Sequence, residues 1–242
     1  QRTYRDPLQA QTPAVGSEPQ GHLLHLHRTV VDQVVYCRIR RYVVEGGLAL
    51  IAPVQCSEDL RVSIDALGPV RVIIAPNLMH HLYLEEWMAA YPNALSYGPE
   101  GLAAKRSDLR FSDHLGPEFD KAFATDFRRF AIEGVPKLGE SLFLHRQSAT
   151  LIVTDFCFFM PEATGLTGLF AMLTGIKKAP RCGPSVRILI RNKAAFRESL
   201  QVLRTIDIRH LSMCHHHVLS VAASEALNQV LNQLKVHFSS RT

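Results

Sequence analysis

The chain has 242 residues, 47% of them hydrophobic and 20% charged, enough to bury one large core or two modest ones, and a single domain is the expected arrangement. Its five cysteines, Cys37, Cys56, Cys157, Cys182 and Cys214, are odd in number and include no CxxC pair, which argues against a disulfide framework or a zinc ribbon and fits a reducing compartment. The formal charge of +5 is spread over small clusters at Arg38-Arg40-Arg41, Arg128-Arg129 and Lys177-Lys178, the pattern of a solvated surface rather than of a nucleic-acid footprint.

In chain order, residues 1–20 come first as a Gln- and Pro-rich arm with few large apolar side chains, a composition that does not fold alone and is expected to lie against a partner macromolecule. A chain that begins with Gln and is basic reads as a processed organellar protein, with the mitochondrial matrix as the expected location and the cytoplasm as the alternative. One domain is expected over residues 21–242. Strands are predicted at Leu23 to Val31, Val34 to Tyr42 and Leu48 to Ala52, with a tight turn at Gly46-Gly47. Ser57 can cap a helix running to about Ala66, which Leu67-Gly68-Pro69 ends before a strand at Val70 to Ile74. Leu84 to Ala90 reads as a helix and Ala94 to Tyr97 as a short strand before the Gly98-Pro99 turn. After an irregular middle, Ser141 to His145 and Thr150 to Val153 form a predicted hairpin. His145 and Arg146 are expected at the surface and Cys157 in the core. Helices are predicted at Gly165 to Gly175 and Ala194 to Leu203, a last strand at Ile206 to Met213, and an amphipathic closing helix at Ala222 to Val236. No window reaches the ~18 consecutive apolar residues of a membrane span, since Gly165 to Ile176 is only about a dozen long.

The most informative stretch is Ala75-Pro76-Asn77-Leu78-Met79-His80-His81, where a strand stops at a Pro corner and hands over to two adjacent imidazoles. Together with Gly46-Gly47-Leu48, Ala52-Pro53-Val54, Leu67-Gly68-Pro69-Val70, Tyr91-Pro92-Asn93-Ala94, Pro99-Glu100-Gly101-Leu102 and Leu151-Ile152-Val153-Thr154-Asp155, it makes the chain resemble the metallo-β-lactamase-like superfamily over roughly Val43 to Leu234. Within that superfamily it looks closest to a branch known only as a domain of unknown function. The resemblance implies an α/β fold, an αββα sandwich with metal at one edge.

The superfamily's main motif is His-x-His-x-Asp-His after a strand, the first two histidines serving one zinc and the Asp-His pair a second. In the register that keeps His81 as the final His, Pro76, Leu78 and His80 occupy the three earlier positions. Pro76 and Leu78 cannot bind metal, and the later Gly-His that would complete the first site reads Gly139-Glu140, so that site is expected to be lost. For the second site the resemblance implies His80, His81, Asp155 and His215 as candidate ligands of at most one zinc ion, with Asp155 also as the catalytic group that orients a water. The residues themselves leave plainer roles open: a backbone hydrogen bond for His80, a turn cap for Asp155, and a run His215-His216-His217 that cannot converge on one ion unaided.

Two functions follow as expectations. The first is a catalytically degenerate protein that serves as a structural or interaction subunit of a larger assembly, a mitochondrial ribosome or its assembly intermediate being favoured, with other protein chains and RNA as candidate partners. The alternative is a mononuclear metal-dependent hydrolase of an ester, amide or thioester.

Overall fold

The computed structural model describes residues 24–27, 38–214 and 218–239. The expected arm at residues 1–20, His215 and the segment 28–37 of the first two predicted strands therefore lie outside the described residues. Two sheets carry the fold. The first contains β1 (Leu24–His27), β2 (Arg38–Val44), β3 (Gly47–Ile51), β4 (Val70–Ile74), β5 (Leu95–Gly98) and β6 (Asp113–His114), hydrogen-bonded in that order. Strands β1 to β3 pair antiparallel and β3 to β6 parallel, the parallel crossovers being made by α1 (Glu58–Asp65), α2 (Leu84–Ala90) and α3 (Leu102–Lys105).

Next along the chain come α4 (Pro117–Ala122), β7 (Phe127–Ala131), β8 (Ser141–His145), β9 (Thr150–Val153), β10 (Cys157–Phe158), α5 (Gly165–Thr174), β11 (Arg181–Cys182), α6 (Pro184–Leu189), α7 (Lys193–Leu203), β12 (His210–Met213), β13 (Val218–Leu219) and α8 (Ala223–Ser239). The second sheet has the order β13-β12-β9-β8-β7, with β12 and β9 parallel, and β10 and β11 form a small separate pair. The predicted hairpin is present, with Phe143 opposite Ile152 and Leu144 opposite Leu151.

Strand alternation explains why both sheets are covered on both faces. In β3, Ala49 and Ile51 join Val72 and Ile74 of β4 in an inner core shared with Phe127, Phe143 and Ile152 of the second sheet, while Leu48, Leu50 and Ile73 face outward. The outward residues pack on Leu60 and Ile64 of α1 and on Leu84 and Trp87 of α2. On the opposite side, Leu142, Leu151, Val153, Leu211 and Met213 pack on Phe196 and Leu200 of α7 and on Leu227 and Val230 of α8. The result is one four-layered αββα sandwich, as the resemblance implies.

Local chemistry sets several boundaries. Ser57 caps α1 by accepting from the Leu60 N–H at 3.4 Å. Gly47 sits at φ +151°, and a Cβ there would fall 2.2 Å from the Pro69 carbonyl oxygen, so the β2–β3 turn needs glycine both for its angle and for the close approach. Cys157 is buried, as expected. His145 is not at the surface: it is 4% exposed, with Nε2 donating to the Val43 carbonyl at 2.9 Å and Nδ1 2.7 Å from the Ser148 hydroxyl. Hairpin geometry alone hides this, because the partner of His145 is β2 of the other sheet. Among the described residues no helix is long and apolar enough to cross a membrane.

Candidate functional site

The C-terminal ends of β4 and β9 meet at one edge of the sandwich, and the loops that follow them carry the predicted site. The Ala75 N–H donates to the Tyr97 carbonyl and prolongs the β4–β5 pairing. Beyond it the chain is tied to the loop before β8, since the Ser141 N–H donates to the Pro76 carbonyl at 2.9 Å and the Leu78 N–H to the Leu138 carbonyl at 2.8 Å. These bonds bring residues 76–78 of one sheet against residues 138–141 of the other.

Asn77 is the centre of this junction and is fully buried. Its Oδ1 accepts from the N–H groups of Met79 and His80, both at 2.8 Å, which turns the chain sharply after the strand. Its Nδ2 donates to Thr154 Oγ1 at 2.9 Å and to Asp155 Oδ2 at 2.8 Å. Thr154 in turn donates its N–H and its hydroxyl to Glu140 Oε1, at 2.8 and 2.7 Å. Glu140 is 1% exposed, and Glu140 Oε2 has no hydrogen-bond partner among the described residues. Burial, and then the nearby Asp155 carboxylate, push the Glu140 carboxyl up to about 8, so it carries a proton at neutral pH. In the sequence Asn77 stands only as one residue of the run after Pro76 and is given no role. Nothing local pointed to Thr154.

The candidate ligands divide into separate settings. His80 Nε2 stands 3.8 Å from Asp155 Oδ2, with both side chains 13% exposed. His81 is drawn to α3 instead: its Nδ1 lies 3.5 Å from Arg106 Nη1, and Arg106 also donates to the His81 carbonyl at 3.0 Å. Lys105 Nζ donates to the Leu78 carbonyl at 2.7 Å. Burial, followed by the Lys105 and Arg106 charges, pushes the His81 imidazole below its ordinary value. Of the four expected ligands the structure therefore brings together His80 and Asp155, leaves His81 beside a guanidinium, and leaves His215 outside the described residues.

Among the described residues these surroundings do not by themselves fit a bound metal. Among the described residues no three His, Cys, Asp or Glu side chains are grouped so that they could hold an ion. One Asp155 oxygen is engaged by the Asn77 amide, the neighbouring carboxyl of Glu140 is buried with its protonated form favoured, and Lys105 of α3 and Arg106 just beyond it flank the His81 end of the loop. A cavity of about 580 Å³ opens nearby, lined among others by His114, Arg129, Glu133, Glu140 and Ser141, but none of His80, His81 and Asp155 borders it.

No protein-family model matches the chain, and no curated protein matches it in sequence. Solved structures do match in shape. A metallo-β-lactamase from Pontibacter korlensis is 16% identical, with 87% of this chain and 93% of that one covered and a TM-score of 0.56. A metallo-β-lactamase from Erythrobacter litoralis is 10% identical, with coverages of 86% and 87% and a TM-score of 0.53. The chemotaxis sensor ODP, solved as a peroxy diiron species, is 12% identical, with coverages of 83% and 86% and a TM-score of 0.51. At these identities the likeness is one of architecture, and the chain has the metallo-β-lactamase fold.

Proposed function

We propose that this chain is a catalytically degenerate metallo-β-lactamase-like protein, of an uncharacterised branch of that superfamily, which works as a structural or interaction subunit of a larger assembly. The observation that carries the reading is the hydrogen-bond chain Asn77–Thr154–Glu140, with Asn77 also holding Asp155. It ties the loop after β4 to the strand end of β9 with side-chain hydrogen bonds, at the edge where the superfamily places its metal. A buried network of this kind, engaging one Asp155 oxygen, supports a rigid scaffold over a hydrolase. A mitochondrial assembly, a ribosome or its assembly intermediate, is the setting proposed for so basic a chain, with protein chains and RNA as partners.

One observation favours the second reading, a mononuclear hydrolase of an ester, amide or thioester: His80 approaches Asp155 on a partly open surface. His215 would then have to supply a third ligand. Zinc measurement separates the two readings. The purified chain, dialysed against zinc and then against metal-free buffer, is expected to retain no stoichiometric metal by mass spectrometry of its elements. Retention of one zinc per chain, lost in His80→Ala and in Asp155→Ala, would overturn the scaffold reading in favour of the hydrolase.

A further inference from the structure

Helix α5 is built inside out for a soluble domain. Its inward residues are the small Gly168 and Ala171, both buried, and a Cβ on Gly168 would lie 2.6 Å from the carbonyl oxygen of Ala163, so the helix lies tight against the segment that enters it. Beneath it lies only a small satellite core of Met160, Ala163, Ala171 and Ile176. The large side chains point the other way. Leu166, Leu169, Phe170 and Leu173, at the i, i+3, i+4, i+7 spacing of a single helix face, are 49% to 87% exposed, and Met172 beside them is 54% exposed. An apolar stripe this large and continuous marks a contact surface.

The charge around the stripe identifies what it meets. Exposed Glu162 precedes α5, and from Ala163 to Lys193 the chain has no further Asp or Glu while it carries Lys177, Lys178, Arg181, Arg187, Arg191 and Lys193, the first three following the helix directly. The nearest of these are held at the helix itself: Lys177 Nζ donates to the Ala163 carbonyl at 2.9 Å, and the Arg181 guanidinium packs on Gly175 at the α5 C-terminus. Lys178, Arg187, Arg191 and Lys193 are exposed. A protein partner would ordinarily find a rim of mixed polar groups around such a patch. Here the cations Lys177, Lys178 and Arg181 follow the helix, a single acid, Glu162, precedes it, and the stripe presents no charged or amide side chain to orient a partner. An uncharged apolar helix face with a mainly cationic flank is complementary to a surface that is apolar below and negative above, which is the interface of an anionic bilayer.

We infer that α5 and its basic flank form a peripheral docking element for anionic phospholipid membranes, with Leu166, Leu169, Phe170 and Leu173 entering the headgroup boundary and the flanking Lys and Arg side chains pairing with lipid phosphates. This goes beyond the scaffold reading and does not rest on it, because zinc content and membrane binding are measured separately.

The test is flotation of the full chain with vesicles of phosphatidylcholine alone or of phosphatidylcholine with phosphatidylserine. The expected result is binding to the mixed vesicles only, weakening as salt is raised, with Lys178→Gln lowering the partition about five-fold. The double variant Leu166→Gln/Leu173→Gln changes two exposed positions, is expected to keep the circular dichroism and melting temperature of the parent, and should not float. Failure of the parent chain to bind the anionic vesicles overturns the inference, as does equal binding by the folded double variant. A chain that ignores vesicles but forms a dimer dissociated by the double variant also overturns it, assigning the stripe to a protein contact.

Discussion

Glu140 condenses the conflict between burial and charge at the site edge. Its neutral form accepts two hydrogen bonds from Thr154, and ionising it would place a carboxylate in a dry setting beside Asp155. The folded-state value near 8 stands above the ordinary 4.5. A carboxyl raised in this way contributes stability that is fully present below the unfolded value and is lost as pH rises towards the folded one. Between about pH 5 and pH 8 this group alone should therefore lower unfolding stability, by at most about 1.4 kcal/mol per pH unit. Glu140→Gln keeps the shape and the acceptor oxygen but cannot ionise. Urea unfolding at a series of pH values should show the parent weakening across that window relative to the variant, whose profile loses this slope. Parallel profiles would mean that Glu140 is already charged in the folded protein.

At the scale of elements, the β2–β3 turn gives a sharp test of how a strand pair is closed. Gly47→Ala must place a Cβ 2.2 Å from the Pro69 carbonyl, at a φ of +151° that L residues rarely adopt. The Leu48 N–H donates to that same carbonyl at 2.8 Å, so relief by moving Pro69 breaks the first bond between β3 and β4. Destabilisation of about 2 kcal/mol or more is expected in denaturant unfolding. The same turn shows what the sequence reveals. Gly46-Gly47, the capped helix α1, strand β4 and the β8–β9 hairpin were legible because their signals are local: turn residues, a cap and short apolar runs. The middle of the chain was not. Strand β7 reads Phe-Arg-Arg-Phe-Ala, and its identity depends on Phe127 joining the inner core while Phe130 joins the outer one. The superfamily resemblance named His80 and Asp155 among four candidate ligands without singling them out as neighbours, and Asn77, Thr154 and Glu140 gain their roles only when the loops after β4 and β9 meet the segment before β8. His145 was misjudged for the same reason: its partner Val43 is 102 residues away.

For the whole molecule, the question is whether the two sheets and their helices behave as one cooperative unit. Phe143 lies at the midplane, fully buried, with its ring 5.8 Å from Phe119 and 6.0 Å from Phe127. Trp87, the chain's single tryptophan, lies in a different cluster, between the first sheet and its outer helices, where its Nε1 donates to the Val54 carbonyl at 2.6 Å. The two residues share no cluster, yet the strands between them do: Leu50 faces the tryptophan layer, while Ala49 and Ile51 on either side of it face Phe143's layer. Strand β3 cannot lose one face and keep the other. Phe143→Ala should therefore cost about 3 to 5 kcal/mol and lower the denaturant midpoint seen by Trp87 fluorescence by the same amount as the midpoint seen by far-ultraviolet circular dichroism. A tryptophan transition left in place while the circular dichroism midpoint falls would show instead that the first sheet with α1 and α2 unfolds on its own, and that the inner core joins two units rather than making one.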